Sequence, residues 1–366
     1  MDPFLTQSYH FDLPEELIAA EPLAVRDESR LLVVHPKSRT WEHCQIRDLP
    51  SRIGSDHLIV ANNTRVFRAR LLGERLGTGG KMEFFMLHRV AERQWEGLMR
   101  SGGKILPGYT FRIPKDGGGW LEGRVISRKE DESGALFTAE FSEDPLRVKA
   151  GEVPLPPYIV QQRAQRGLSP MRKDELEIYN TAFAKEGEAG SVAAPTAGRH
   201  FTPMLIAKLR EKGAQWEEIT LNVGIGTFKP VGVEKIQEHR MHPEWTEISV
   251  DTAERLNIAK RSGKKILAVG TTTARTLEGR SLDGPEGPML TPGAKEVNLF
   301  IHPGTPFQWK WADLLLTNFH LPGSSLIMMV ASRIGDLSFT RELYQEAIRE
   351  RYRFYSYGDA MLIMDE

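Results

Sequence analysis

The sequence predicts an α/β main domain with an inserted antiparallel β-barrel domain. Amphipathic helices alternate with apolar strands through the C-terminal half. Over 65–141 the texture changes to short alternating segments punctuated by glycine clusters, the pattern of a small closed sheet. Two apolar strand segments, 31–34 and 58–61, precede that stretch. The main domain is therefore expected to be discontinuous, 1–64 and 154–366, with the barrel at 65–153. The 366 residues, 40% apolar and 27% charged, suffice for two cores of ordinary globular composition.

In FDLPEELIAAEPLAVRDESRLLV (11–33), Asp12 as a cap, Pro14, and Glu15 and Glu16 at the positive end of the dipole predict a helix before the strand at 31–34. In the inserted stretch, 81–87, 95–99 and 121–126 alternate as strands. Turns fall at Gly77-Thr78-Gly79-Gly80, Ser101-Gly102-Gly103, Pro107-Gly108 and Gly117-Gly118-Gly119. VPLPPYI (153–159) reads as the exit linker. Residues 203–212 form an amphipathic helix with Pro203 at its start and Gly213 past its end. Strands at 219–223 and 264–270, a helix at 252–261 and a helix start in TTTARTLE follow. ADLLLTNF, SLIMMVAS, RELYQEAIRER and AMLIM complete the pattern. Pro285, Pro288 and Pro292, with Gly284, Gly287 and Gly293, predict a surface loop.

A formal net charge of −1 excludes a protein that coats nucleic acid nonspecifically, yet leaves room for a local basic patch. No apolar run reaches the roughly 18 residues of a membrane span. MDPFLTQSYHFDLPEE lacks the basic flank and apolar core of a signal peptide. The single cysteine, Cys44, rules out an intramolecular disulfide and a thiolate zinc cluster, and the expected compartment is the cytoplasm. GIGTF (224–228) lacks the third glycine of a dinucleotide fingerprint, and neither GxxxxGK[ST] nor Gly-x-Ser-x-Gly occurs. His239 and His242 stand without further metal ligands, so no metal is expected. Without coiled-coil heptads or an assembly segment, a monomer is the expectation.

Five segments carry the polar groups chemistry needs. In GSVAAPTAGRHF (190–201), small residues including Gly198 flank Pro195 and leave space at the backbone, while Ser191, Thr196, Arg199 and His200 supply polar groups. A tight packing loop fits the same residues. VGTTTARTLE (269–278) has the form strand, glycine, helix. Thr271, Thr272 and Thr273 with Arg275 suit an anion at the helix start, or an ordinary cap. LTNFHLPGSSLIMMVAS (316–332) joins strand to helix through Asn318, His320, Pro322 and Gly323, with Ser324 and Ser325 as caps; a lone histidine there is more often structural. YRFYSYGDAMLI (352–363) puts Tyr357, Gly358 and Asp359 at a turn, where the aromatics stack a base or belong to the core. In NNTRVFRARL (62–71), Arg65, Arg68 and Arg70 form a phosphate-contacting stripe or a solvated face, Arg68 and Arg70 sharing a side if 66–71 is a strand.

Taken in this order, with ITLNVGIGTFKPV and MHPEW between them, the segments resemble the S-adenosylmethionine:tRNA ribosyltransferase-isomerase family of queuosine biosynthesis over essentially the whole chain. The resemblance implies the same α/β-plus-barrel architecture. It also implies ribosyl transfer from S-adenosylmethionine, as co-substrate, to 7-aminomethyl-7-deazaguanine at the wobble position of tRNA, giving epoxyqueuosine, adenine and methionine. No further cofactor is implied. Four positions depart from the pattern: Asn63 for aspartate, Arg199 for leucine, Asn222 for histidine and His302 for tyrosine. A methyltransferase using the same co-substrate and a noncatalytic RNA-binding protein are the rival classes.

The implied reaction begins with loss of a proton from the ribose 5′ carbon, which the sulfonium acidifies. Ring opening expels adenine, the aminomethyl nitrogen attacks, and epoxide closure releases methionine. Such a reaction needs a base, an acid, a carboxylate anchor and a dry cavity. His200 and His320 are the expected proton-transfer groups, with Asp359 orienting them. Thr271, Thr272 and Arg275 are expected at the methionine carboxylate; Ser191, Thr196, Gly198, Asn318, Ser324, Tyr357 and Gly358 elsewhere at the substrate; and Arg65, Arg68 and Arg70 at the tRNA.

Overall fold

The computed structural model describes residues 1–131, 134–185, 189–224, 231–304 and 307–365. A nine-stranded mixed sheet runs, edge to edge, Gly293–Val297, Glu244–Ile248, Gln215–Leu221, His57–Asn62, Lys265–Val269, Leu314–Asn318, Ala360–Met364, Arg30–His35 and Thr40–Gln45. Its middle four, from Gln215–Leu221 to Leu314–Asn318, are parallel. Of these, His57–Asn62, Lys265–Val269 and Leu314–Asn318 are buried on both sides, which is why each carries an unbroken apolar run rather than an alternating one. One face packs on helices Ser325–Ile334, Leu337–Arg349 and Val250–Arg261; the other packs on Pro203–Glu211 and the 46–53 segment.

Six antiparallel strands close into a barrel in the order Gly134–Phe141, Gln94–Ser101, Lys81–Ala91, Arg70–Arg75, Thr110–Pro114, Trp120–Asp131. Inward residues alternate along each strand and meet in an aromatic core. Phe141 stands edge-on to Phe84 and to Phe111, each at 5.8 Å between ring centroids. Gly123 faces Phe111, where a Cβ would sit 2.4 Å from the ring. Here glycine makes room for an aromatic ring rather than a turn.

Four expectations are corrected. The 11–33 helix is reduced to single 3-10 turns at Glu15–Leu17 and Arg26–Glu28. Its backbone instead pairs with the C-terminal turn: Ala19 N–H donates to Phe354 O and Phe354 N–H to Leu17 O. The proline-rich stretch near 285 is a hairpin, Ser281–Gly284 with Gly287–Leu290, leading to the edge strand Gly293–Val297. Its prolines are tolerated because the two-stranded ribbon has free edges. Residues 66–71 are not one strand: Arg65–Val66 pairs with Ala189–Ser191, and the barrel strand starts at Arg70. VPLPPYI already contains the start of helix Pro157–Gln165. Most of GIGTF, 225–228, lies outside the described residues. No helix among the described residues is long and apolar enough to cross a membrane.

Candidate active site at the carboxyl edge of the sheet

The four parallel strands end at one edge of the sheet, where open α/β sheets bind ligands. Strand Ala360–Met364 runs the other way, so Asn318 lies opposite Ala360 and the Tyr357–Gly358–Asp359 turn reaches the same edge. The 190–201 segment crosses above it as a 3-10 turn, Thr196–His200. Gly270, at φ +89°, starts helix Thr271–Arg280, and a Cβ there would lie 3.6 Å from Ala197 Cβ. Asn62 ties the neighbouring strands together. Its amide nitrogen donates to Leu221 O (3.0 Å) and Thr272 Oγ1 (3.3 Å), and its oxygen accepts from Leu221 N–H and Thr64 N–H.

Asn318 is the centre of this arrangement. Its Nδ2 donates to His200 Nε2 (3.3 Å), Asp359 O (3.3 Å) and Gly358 O (3.5 Å). Three acceptors around one atom fix the amide orientation and make His200 Nε2 the unprotonated nitrogen. The other amide atom, Oδ1, is buried with no hydrogen-bond partner among the described residues. An unpaired buried acceptor costs about 1–3 kcal/mol, which a ligand donor would recover. His200 is itself 5% exposed. Burial first, then the Arg199 charge, lowers its pKa to about 3, so it is neutral at physiological pH. Burial alone lowers His320 to about 3.

The two histidines lie on opposite faces of the strand Leu314–Asn318. Leu314 and Leu316 belong to one core and Leu315 to the other, so Thr317 and Asn318 point to opposite sides. Asn318 meets His200; Thr317 Oγ1 meets His320 Nε2 at 2.8 Å. His320 is further held by Tyr344, whose hydroxyl accepts its backbone N–H. The Asp359 carboxylate touches neither histidine. It accepts from the backbone N–H of Arg30 (3.1 Å) and of Arg353 (2.8 Å), and pairs with the Arg353 guanidinium. Its contribution to the site runs through its carbonyl, which holds Asn318.

Several other predicted residues are structural braces. Ser191 Oγ donates to Ala193 O and accepts from Val223 N–H. Gly198 makes room for Phe183, 2.9 Å from a would-be Cβ, and Gly358 for Arg353 O, 2.4 Å. Ser324 caps its helix by accepting from Ile327 N–H. Tyr357 donates to Glu175 (2.6 Å), while the Arg199 guanidinium covers its ring at 4.4 Å. Arg199 also clamps the carbonyls of Ile178 and Ser356. Arg275 is engaged in a buried ion pair with Glu244. Thr196 and Thr271 differ: neither hydroxyl bonds to the protein among the described residues, and helix Thr271–Arg280 has no side-chain cap.

Of the arginines before the barrel, Arg68 pairs with Asp116 and Arg70 with Glu83, which neutralises both. Arg65 is unpaired among the described residues. Sequence reasoning passed over Asn62, although a polar residue ending the apolar run 58–61 marks a strand end. It also passed over Glu244, visible only as the carboxylate of MHPEW. Among the described residues no three His, Cys, Asp or Glu side chains are placed to hold a metal ion.

A family model described as "Queuosine biosynthesis protein" matches residues 6–363. The chain is 40% identical to the S-adenosylmethionine:tRNA ribosyltransferase-isomerase of Natranaerobius thermophilus over 98% of both chains. It is 42% identical to that of Clostridioides difficile over 98% of this chain and 99% of the relative. The crystal structure of S-adenosylmethionine tRNA ribosyltransferase from Thermotoga maritima superposes with a TM-score of 0.51 at 33% identity, covering 98% of this chain and all of that one. With these matches running along nearly the full length, this chain belongs to the queuosine biosynthesis protein family.

Proposed function

We propose that this enzyme transfers and isomerises the ribosyl group of S-adenosylmethionine onto 7-aminomethyl-7-deazaguanine at the tRNA wobble position, releasing adenine and methionine. Full-length similarity to relatives of that name supports the reaction class. The observation that carries the site is the unpaired Asn318 Oδ1 beside a neutral His200. A neutral imidazole can take a proton and does not repel the incoming sulfonium. The dry surroundings strengthen each polar contact made to the substrate. His200 Nε2 is the proton acceptor on one face of the strand end once the substrate draws the Asn318 amide away from it, and His320 is the second proton-transfer group on the other. Asp359 acts as a positioning residue through Asn318.

Because Glu244 already neutralises Arg275, the methionine carboxylate is assigned to the open helix start, with the hydroxyls of Thr196 and Thr271. The charge there comes from backbone amides that need no reorganisation when the ligand arrives.

The test incubates the protein with S-adenosylmethionine labelled in the adenine and a tRNA carrying 7-aminomethyl-7-deazaguanine. Free adenine and methionine are expected in equal amounts. S-adenosylhomocysteine in their place means methyl transfer, and tRNA binding without turnover means a noncatalytic binder; either overturns the proposal.

A further inference from the structure

A cleft of about 380 Å³ lies between the segments that enter and leave the barrel and helix Glu175–Tyr179. Val66, Phe67, Leu146, Ala150 and Leu176 give it an apolar floor. Its charged rim is unusual in how little of it is neutralised. Arg68 is taken by Asp116, and Asp174 by Arg172. Arg65, Lys149 and Lys173 make no ion pair or side-chain hydrogen bond among the described residues. Among those same residues Glu177 is the one lining carboxylate left unpaired, so three free cations face a single free anion. On a chain of net charge −1, that local excess is not a compositional accident of a basic protein.

The cleft is wired to the strand-edge site. Arg65–Val66 pairs with Ala189–Ser191, which opens the segment carrying His200. Val66 packs in one cluster with Ala194 and Tyr357, and its N–H and C=O are both held by the Asn180 side chain. Lys149 holds a left-handed backbone at φ +50°, rare for a long side chain, in the turn that brings it to the rim.

We infer that this cleft seats the sugar–phosphate backbone of the RNA substrate, with Arg65, Lys149 and Lys173 as its phosphate contacts. The inference rests on the RNA substrate of the proposed function. Free cations spread along an apolar-floored groove suit a polyanion's repeating phosphates, with sugars against Phe67 and Leu146. Arg68 and Arg70, the obvious sequence candidates, are set aside because their charge is already satisfied internally.

The test measures binding of a fluorescent anticodon stem-loop RNA to the full-length protein across a salt series, with adenine release measured in parallel. Arg65→Ala/Lys149→Ala/Lys173→Ala is expected to weaken binding and flatten the log–log salt dependence by about 2, at ~0.7 for each phosphate no longer neutralised. Lys149→Arg/Lys173→Arg, which keeps the charge, is expected to retain the wild-type slope, and a wild-type melting temperature in the triple variant excludes a folding defect. Arg68→Ala/Arg70→Ala is expected to move the slope by less than half as much. If the wild type binds and turns over while the triple variant keeps its affinity and slope, the cleft is wrong and the proposed reaction stands. If the wild type neither binds RNA nor releases adenine, the reaction reading falls and the cleft with it.

Discussion

The barrel and the carboxyl edge of the sheet are both buried but built from opposite materials. The barrel interior is aromatic and aliphatic, and Trp95 Nε1 is its one buried side-chain polar atom without a partner among the described residues. Its charged groups sit outside in pairs such as Arg112–Glu74. The sheet edge instead buries Asn62, Ser191, Arg199, His200, Asn318 and Asp359 within a few residues of one another along the strand ends. Some of their polar atoms are over-determined, as at Asn62; others, as at Asn318, are left unpaired. A barrel of that composition contributes stability and shape. An edge of this composition costs stability, and the cost is recovered only when a ligand completes it.

The contrast is sharpest in large-to-small substitutions. Phe111→Ala empties the barrel centre, where Phe84, Phe141 and Tyr109 surround the ring. It is expected to cost about 3–5 kcal/mol in denaturant unfolding, with the sheet's chemistry retained in whatever fraction stays folded. A loss below about 1 kcal/mol would show that the barrel is not a single packed unit.

A smaller effect separates the regions by pH. His200 and His320 have folded pKa values lowered to about 3, below the unfolded value near 6.5. The unfolded chain therefore binds their protons first. The stability these neutral imidazoles confer is complete above the unfolded pKa and is lost as pH falls from about 6.5 towards 3. At pH 5 each histidine should have cost about 2 kcal/mol relative to pH 7. His320→Gln is expected to flatten the acid limb of stability against pH by one histidine's share; an unchanged slope would mean that His320 is not buried neutral.

The sequence made the regular parts visible because their pattern is local. Glycine clusters delimit barrel strands, and the apolar runs at 58–61, 266–269 and 314–316 are central strands wherever they pack. Pairing decided by distant segments was not visible. Residues 11–33 carry good helix signals, yet Leu17 and Ala19 hydrogen-bond with Phe354 instead. Arg275 looks like an anion clamp until strand Glu244–Ile248 brings Glu244 beside it. His200 and His320 both belong to promising loops, but the strand between them sends them to opposite faces. Arg199, a candidate anion clamp in the sequence, proves to hold two carbonyls and a ring rather than a ligand group.

The most direct measurement is the rate of adenine release by His200→Gln at saturating S-adenosylmethionine and tRNA, on protein whose melting temperature and RNA affinity match the wild type. Loss of the proton acceptor predicts a fall of about 10²–10⁴-fold. Turnover within a fewfold of wild type would contradict the assignment of the chemistry to His200 and Asn318.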